Sequence, residues 1–152
     1  MSPLTLKLTG LAGVCLLAGC GDGLERVPIE GKLTVMGSQP LENAVVVFMP
    51  VPGTPGEGAI GNTDAQGGFT VISSRDDDSG IPPGKYKVRV SRLVDGQTGQ
   101  VLPEGAPEAD YPNAMESIPP PFSGPNSPLE VEVTAAGGDV EIDIPKPLRG
   151  QK

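Results

Sequence analysis

The chain has 152 residues and a formal net charge of −8, with no histidine, no tryptophan and two cysteines. That acidity argues against nucleic acid as a partner, since such binding rests on Lys and Arg neutralising phosphates, and against adsorption to anionic lipid. The 22 glycines and 18 prolines, with only two tyrosines and three phenylalanines, point to one all-β domain rich in turns. Phe48, Phe69, Tyr86, Tyr111 and Phe122 are dispersed, unlike the stacked rings on which sugars and single-stranded nucleic acids are usually held.

Lys7 and the amino terminus make a weakly positive start, and residues 8–18 form an uncharged apolar run. Gly21, Asp22, Glu25 and Arg26 end that run short of the about 20 apolar residues a transmembrane helix needs. It has no polar face at helical spacing, which argues against a buried amphipathic helix. A positive start, an apolar segment and small residues at Ala18 and Gly19 follow the order of a secretory signal. The tetrapeptide Leu17-Ala18-Gly19-Cys20 resembles the lipobox of bacterial lipoproteins at all four positions. The resemblance implies removal of residues 1–19 as a signal peptide and lipidation of Cys20, whose thiol would carry a diacylglyceryl group (with palmitate as a typical acyl chain). Ordinary secretion with cleavage near Cys20 is the rival reading.

Cys15 falls inside the segment to be discarded, so Cys20 is the only mature cysteine. With its sulfur taken by lipid, no disulfide can form, and the fold must rest on its apolar core. Loss of Lys7 leaves the mature part more acidic still, so lipid rather than a basic patch is the expected anchor. Residues 20–26 make a short tether, reaching on the order of 20 Å when extended at about 3.3 Å per residue.

From Val27 the pattern becomes that of strands. Ile29, Gly31, Leu33 and Val35 alternate with Glu30, Lys32 and Thr34, the period of a half-buried strand. Residues 37–40 read as a turn. Residues 44–49 are a continuous apolar run suited to a central strand. A Pro/Gly-rich loop fills 50–58, a weak strand spans 59–63, and residues 64–68 form a hairpin connection to a strand over 69–73. Tyr86, Val88 and Val90 then alternate with Lys85, Lys87, Arg89 and Ser91. Near the end, Leu129, Val131 and Val133 alternate with Glu130 and Glu132, and after a turn at 135–138, Val140, Ile142 and Ile144 alternate with Glu141 and Asp143. One basic and two acidic stripes therefore face outward. If the basic strand neighbours an acidic one, cross-strand pairing favours that register, although each exposed pair contributes only about 0–1 kcal/mol.

Residues 94–128 are rich in Pro, Gly and Glu and lack periodicity. Loops beyond about 12–15 residues are usually functional or disordered, and disorder is the base expectation. The organisation expected is thus a signal peptide over 1–19, a tether over 20–26, and a β-sandwich over 27–148 with a long Pro/Gly-rich loop at 94–128.

Read in order, four blocks of residues resemble the carboxypeptidase regulatory-like, or transthyretin-like, domains found in small lipoproteins of planctomycete-type bacteria. They are Gly31-Lys32-Leu33-Thr34 with Gly37, Pro40-Leu41, Ala44, Val46, Phe48 and Pro50; Thr63-Asp64 with Gly67 and Phe69; Pro83-Gly84-Lys85-Tyr86-Lys87-Val88; and the stretch from Pro119 to Leu129 with Val131 and Val133. The resemblance implies a seven-stranded antiparallel Greek-key β-sandwich. It implies that Gly67 and Gly84 serve turns while Phe69 and Tyr86 fill the core, with no catalytic residue carried over. The length and acidity of residues 94–116 depart from the pattern.

The absence of histidine removes Ser-His-Asp and Cys-His catalysis and the usual imidazole zinc ligands. No motif suggests Ser-Lys catalysis. Carboxylates alone suffice for a glycosidase when two lie about 5–10 Å apart, but here the acids fall on turns and exposed strand faces. Asp76, Asp77 and Asp78, with Asp64, raise the question of calcium; three adjacent aspartates do not easily converge on one ion, so a solvated loop is expected and no metal or other cofactor is assigned. The expected function is a non-enzymatic, lipid-anchored module for structural or protein interaction at the cell envelope. Its partners would be the membrane, through Cys20, and an envelope protein of unknown identity, with no nucleic acid. A small-molecule or carbohydrate binding protein is the alternative, and a hydrolase the most distant one.

Overall fold

The computed structural model describes residues 23–73, 80–103 and 108–150. Cys20, Asp76, Asp77 and Asp78 lie outside the described residues, as does the whole of the signal segment.

Eleven strands form among the described residues: β1 (Ile29–Val35), β2 (Gln39–Pro40), β3 (Val45–Pro50), β4 (Ala59–Asn62), β5 (Gly68–Thr70), β6 (Ile72–Ser73), β7 (Gly84–Ser91), β8 (Leu93–Asp95), β9 (Ala114–Glu116), β10 (Leu129–Val133) and β11 (Gly138–Ile144). One sheet runs β11-β1-β2, with β5 also paired to β1; the second runs β10-β7-β3-β4-β6; β8 and β9 make a third, two-stranded sheet. Each pairing is antiparallel except that of β1 with β11. The first and last strands of the domain can run parallel because no short connection has to join them.

Alternation decides which face of each strand is buried. Ile29, Leu33 and Val35 of β1 and Ile142 and Ile144 of β11 face Val46 and Phe48 of β3 and Tyr86, Val88 and Val90 of β7 in one core. The two larger sheets thus cover each other in the manner of a β-sandwich. Phe69 links them. Its ring lies so close over Gly31 that a Cβ there would overlap it, and its centroid is 6.2 Å from that of Phe48. Phe48 in turn meets the Tyr86 ring edge-on at 6.2 Å. Tyr86 also donates its hydroxyl proton to the Pro82 carbonyl at 2.7 Å, so its one polar atom is satisfied inside the core.

The stretch expected over 69–73 as one strand is two. β5 pairs with β1 and β6 with β4, and the chain changes sheet at Val71, whose N–H donates to Ile29 and whose carbonyl accepts from Gly80. Aperiodic residues 94–128 also carry order: β8, β9 and a 3-10 turn at Glu108–Asp110. Val94, Leu102, Ile118 and Phe122 are buried along it. Each contributes a single anchoring residue, so no period of two or 3.6 is left for sequence reading to detect.

Candidate interaction surfaces

The first described residues enter at one end of the sandwich. Val27 exchanges two backbone hydrogen bonds with Ile81, at 3.0 and 3.1 Å, and Gly137, in the β10–β11 turn, lies against Pro28. From that end β7 runs away over eight residues, about 25 Å at roughly 3.3 Å per residue. At its far end stands the β8–β9 hairpin, opposite the point where the chain leads back toward Cys20.

Glu116 fixes that hairpin to the sandwich. Its carboxylate accepts from the Arg92 and Ile118 N–H groups, both at 2.9 Å, and from the Ser91 hydroxyl at 2.7 Å. Ser117 adds its hydroxyl to the Arg92 carbonyl at 2.8 Å. Arg92 is itself buried, with Nε donating to the Glu42 carbonyl at 3.0 Å and Nη1 left without a partner among the described residues. Burial lowers its pKa, and the nearby Glu42 carboxylate opposes that shift. At the tip, Asp95 accepts from the Thr98 and Gln97 N–H groups, which holds its pKa below the ordinary value.

The basic stripe meets one of the two acidic ones. β7 pairs with β10, with Glu130 opposite Lys87 and Glu132 opposite Lys85. Lys85 Nζ stands 3.9 Å from a Glu132 carboxylate oxygen. On β11, Glu141 is the register partner of Lys32, and Asp143 accepts from the Thr34 hydroxyl at 2.9 Å and the Gly37 N–H at 2.8 Å. The partner of Asp139, however, is Glu30. Both are exposed, and this like-charge pair comes from opposite ends of the chain, so nothing in the local pattern announces it.

β10 and β11 are the edge strands of their respective sheets and lie on the same side of the sandwich, joined by the turn after Val133. Among the described residues no strand pairs with the outer edge of either. Between these edges Leu129, Val131 and Val140 pack only partly buried against the core. A second apolar area, on the outer face of the five-stranded sheet, joins Val47, Ile60 and Ile72 in register.

Asp64, Glu116 and Asp143 spend their carboxylates on backbone and hydroxyl groups of the fold. Asp64 accepts from the Gln66 and Gly68 N–H groups, both at 2.8 Å, and so closes its own turn. It borders a shallow groove of about 420 Å³ with Glu30, Asn62, Thr70 and an edge of Phe69. Among the described residues no group of three or more acidic or cysteine side chains is placed to hold a metal ion. Phe48, Phe69, Tyr86 and Phe122 are exposed by 5% or less, so these rings are spent on the core rather than offered to a ligand. No helix among the described residues is long and apolar enough to cross a membrane. No family model, curated protein or solved structure matches the chain.

Proposed function

We propose that the chain is a lipid-anchored, non-enzymatic β-sandwich that acts as a structural or protein-interaction module at the cell envelope. In this reading the domain is of the carboxypeptidase regulatory-like, transthyretin-like kind. Its seven-stranded Greek-key core is β1, β3, β4, β5, β7, β10 and β11, with the short β2, β6, β8 and β9 as additions. Cys20, once residues 1–19 are removed, carries the lipid, and the protein is exported to the periplasmic or outer face of a membrane.

The observation that carries the interaction reading is the filled core beside open edges. Four of the five aromatic rings, Phe48, Phe69, Tyr86 and Phe122, are buried and Tyr111 is half-buried, while among the described residues no strand pairs with the outer edges of β10 and β11, which lie together. Exposed edges are templates for an added strand. The Leu-Ala-Gly-Cys order, which ends at Cys20, and the absence of histidine from the chain support the anchor and the non-enzymatic assignment. Mass spectrometry of the protein from the membrane fraction tests the anchor: a mature chain beginning at diacylglyceryl-modified Cys20 is expected, and an unmodified Cys20 in a soluble fraction overturns it.

A further inference from the structure

We infer that the free edge of β11 accepts an extended partner segment in which apolar and basic residues alternate. The inference rests on the interaction reading above and names the edge and the chemistry of its occupant.

Three features of the structure converge on this edge. A strand paired on one side leaves every second residue with its N–H and C=O pointing outward, and over the seven residues of β11 no described strand takes them up. The inward face of that side is unfinished: Val140, with Leu129 and Val131 across the gap, stays partly exposed. The outward face carries Asp139 and Glu141 on β11, with Glu30 beside Asp139 and Lys32 beside Glu141, so its excess is negative.

An incoming strand meets both faces at once. Its inward side chains would cover Val140, Leu129 and Val131, so they must be apolar. Its outward side chains would stand next to Asp139 and Glu141, so lysine or arginine fits and a carboxylate does not. The molecule already contains one such match, since basic β7 lies against acidic β10 with Lys87 opposite Glu130 and Lys85 opposite Glu132.

Charge also selects β11 over the equally open edge of β10. The carboxylates of β10 already face lysines. On β11, Glu141 likewise faces Lys32, but Asp139 faces Glu30, and like charges in register are destabilising until a cation is brought beside them. The same repulsion disfavours a second copy pairing β11 to β11.

A peptide of residues 85–91, Lys-Tyr-Lys-Val-Arg-Val-Ser, is a suitable probe because it carries the required alternation. It is added to the full acylated protein in detergent micelles, and binding and amide hydrogen exchange are followed. Binding at low salt with slowed exchange at alternate amides of residues 138–144 is expected, together with weakening on the order of tenfold at high salt. Asp139→Lys should raise thermal stability by relieving Glu30 and yet weaken peptide binding about tenfold or more. A peptide with glutamate in place of its three basic residues should reverse that order, preferring the variant. Slowed exchange at β10 or elsewhere, with β11 unchanged, overturns the inference and leaves the interaction reading standing. No binding by either peptide also overturns it. The state of Cys20 in the same preparation reports separately on the anchor.

Discussion

Met36 and Gly37 occupy the two central positions of the turn between β1 and β2, with φ of 55° and 77°. The turn closes through the Ser38 N–H on the Val35 carbonyl at 3.4 Å. A turn whose two central residues both have positive φ is the place for Asn-Gly, because asparagine tolerates the left-handed region and a long side chain does not. Met36 is also 59% exposed, so it recovers little by burial. Met36→Asn is therefore expected to stabilise the fold by about 1 kcal/mol, measured by urea unfolding; a loss of stability would show that Met36 makes a contact worth more than the strain. Asp95 works in the opposite sense, since its local hydrogen bonds make the turn depend on its charge. Its folded pKa lies below the ordinary value, so its stabilisation is present at neutral pH and is lost as pH falls through the folded pKa. Amide exchange at Gln97 and Thr98 should accelerate in that acid window, and protection that persists below it would contradict the assignment.

Among the elements, the β7–β10 pair and the β8–β9 hairpin are held by different means. Lys87→Glu would set a carboxylate opposite Glu130, and a loss of about 0.5–1 kcal/mol is expected at low salt, shrinking as salt is added. Unchanged stability would mean that register is fixed by the inward Tyr86, Val88 and Val131 alone. The hairpin depends on Glu116, whose carboxylate takes three hydrogen bonds. Glu116→Ala should cost about 2–3 kcal/mol, in the range for hydrogen bonds to a charged group, and should speed exchange across β8 and β9 before the main sheets. This contrast explains what could be read in advance. The long strands were legible because Leu33, Tyr86, Val88, Val133 and Ile142 belong to alternations of period two and Val46 to a continuous apolar run; the stripes of opposite sign were legible too, but with two acidic stripes they left open which one β7 meets. The hairpin was not legible, because Glu116, Ser117 and Val94 act singly. Nor was the Glu30–Asp139 pair, which exists only because the first and last strands come together in parallel.

In the whole molecule, the end from which the proposed anchor would extend adjoins an open side. The chain leads from Val27 toward Cys20 at the end where Ile81 and the β10–β11 turn lie, and the edges of β10 and β11 run away from that end. A domain held within about 20 Å of a membrane by a tether of a few residues would present those edges upright to whatever stands beside it. Photo-crosslinking in intact cells tests this most directly, with the crosslinker placed singly at position 141, on the edge strand, or at position 60, on the outer face of the second sheet. The account predicts adducts to one envelope protein from position 141, few from position 60, and loss of both when Cys20→Ser releases the domain. Adducts confined to position 60, or none at 141 in the anchored protein, would contradict it.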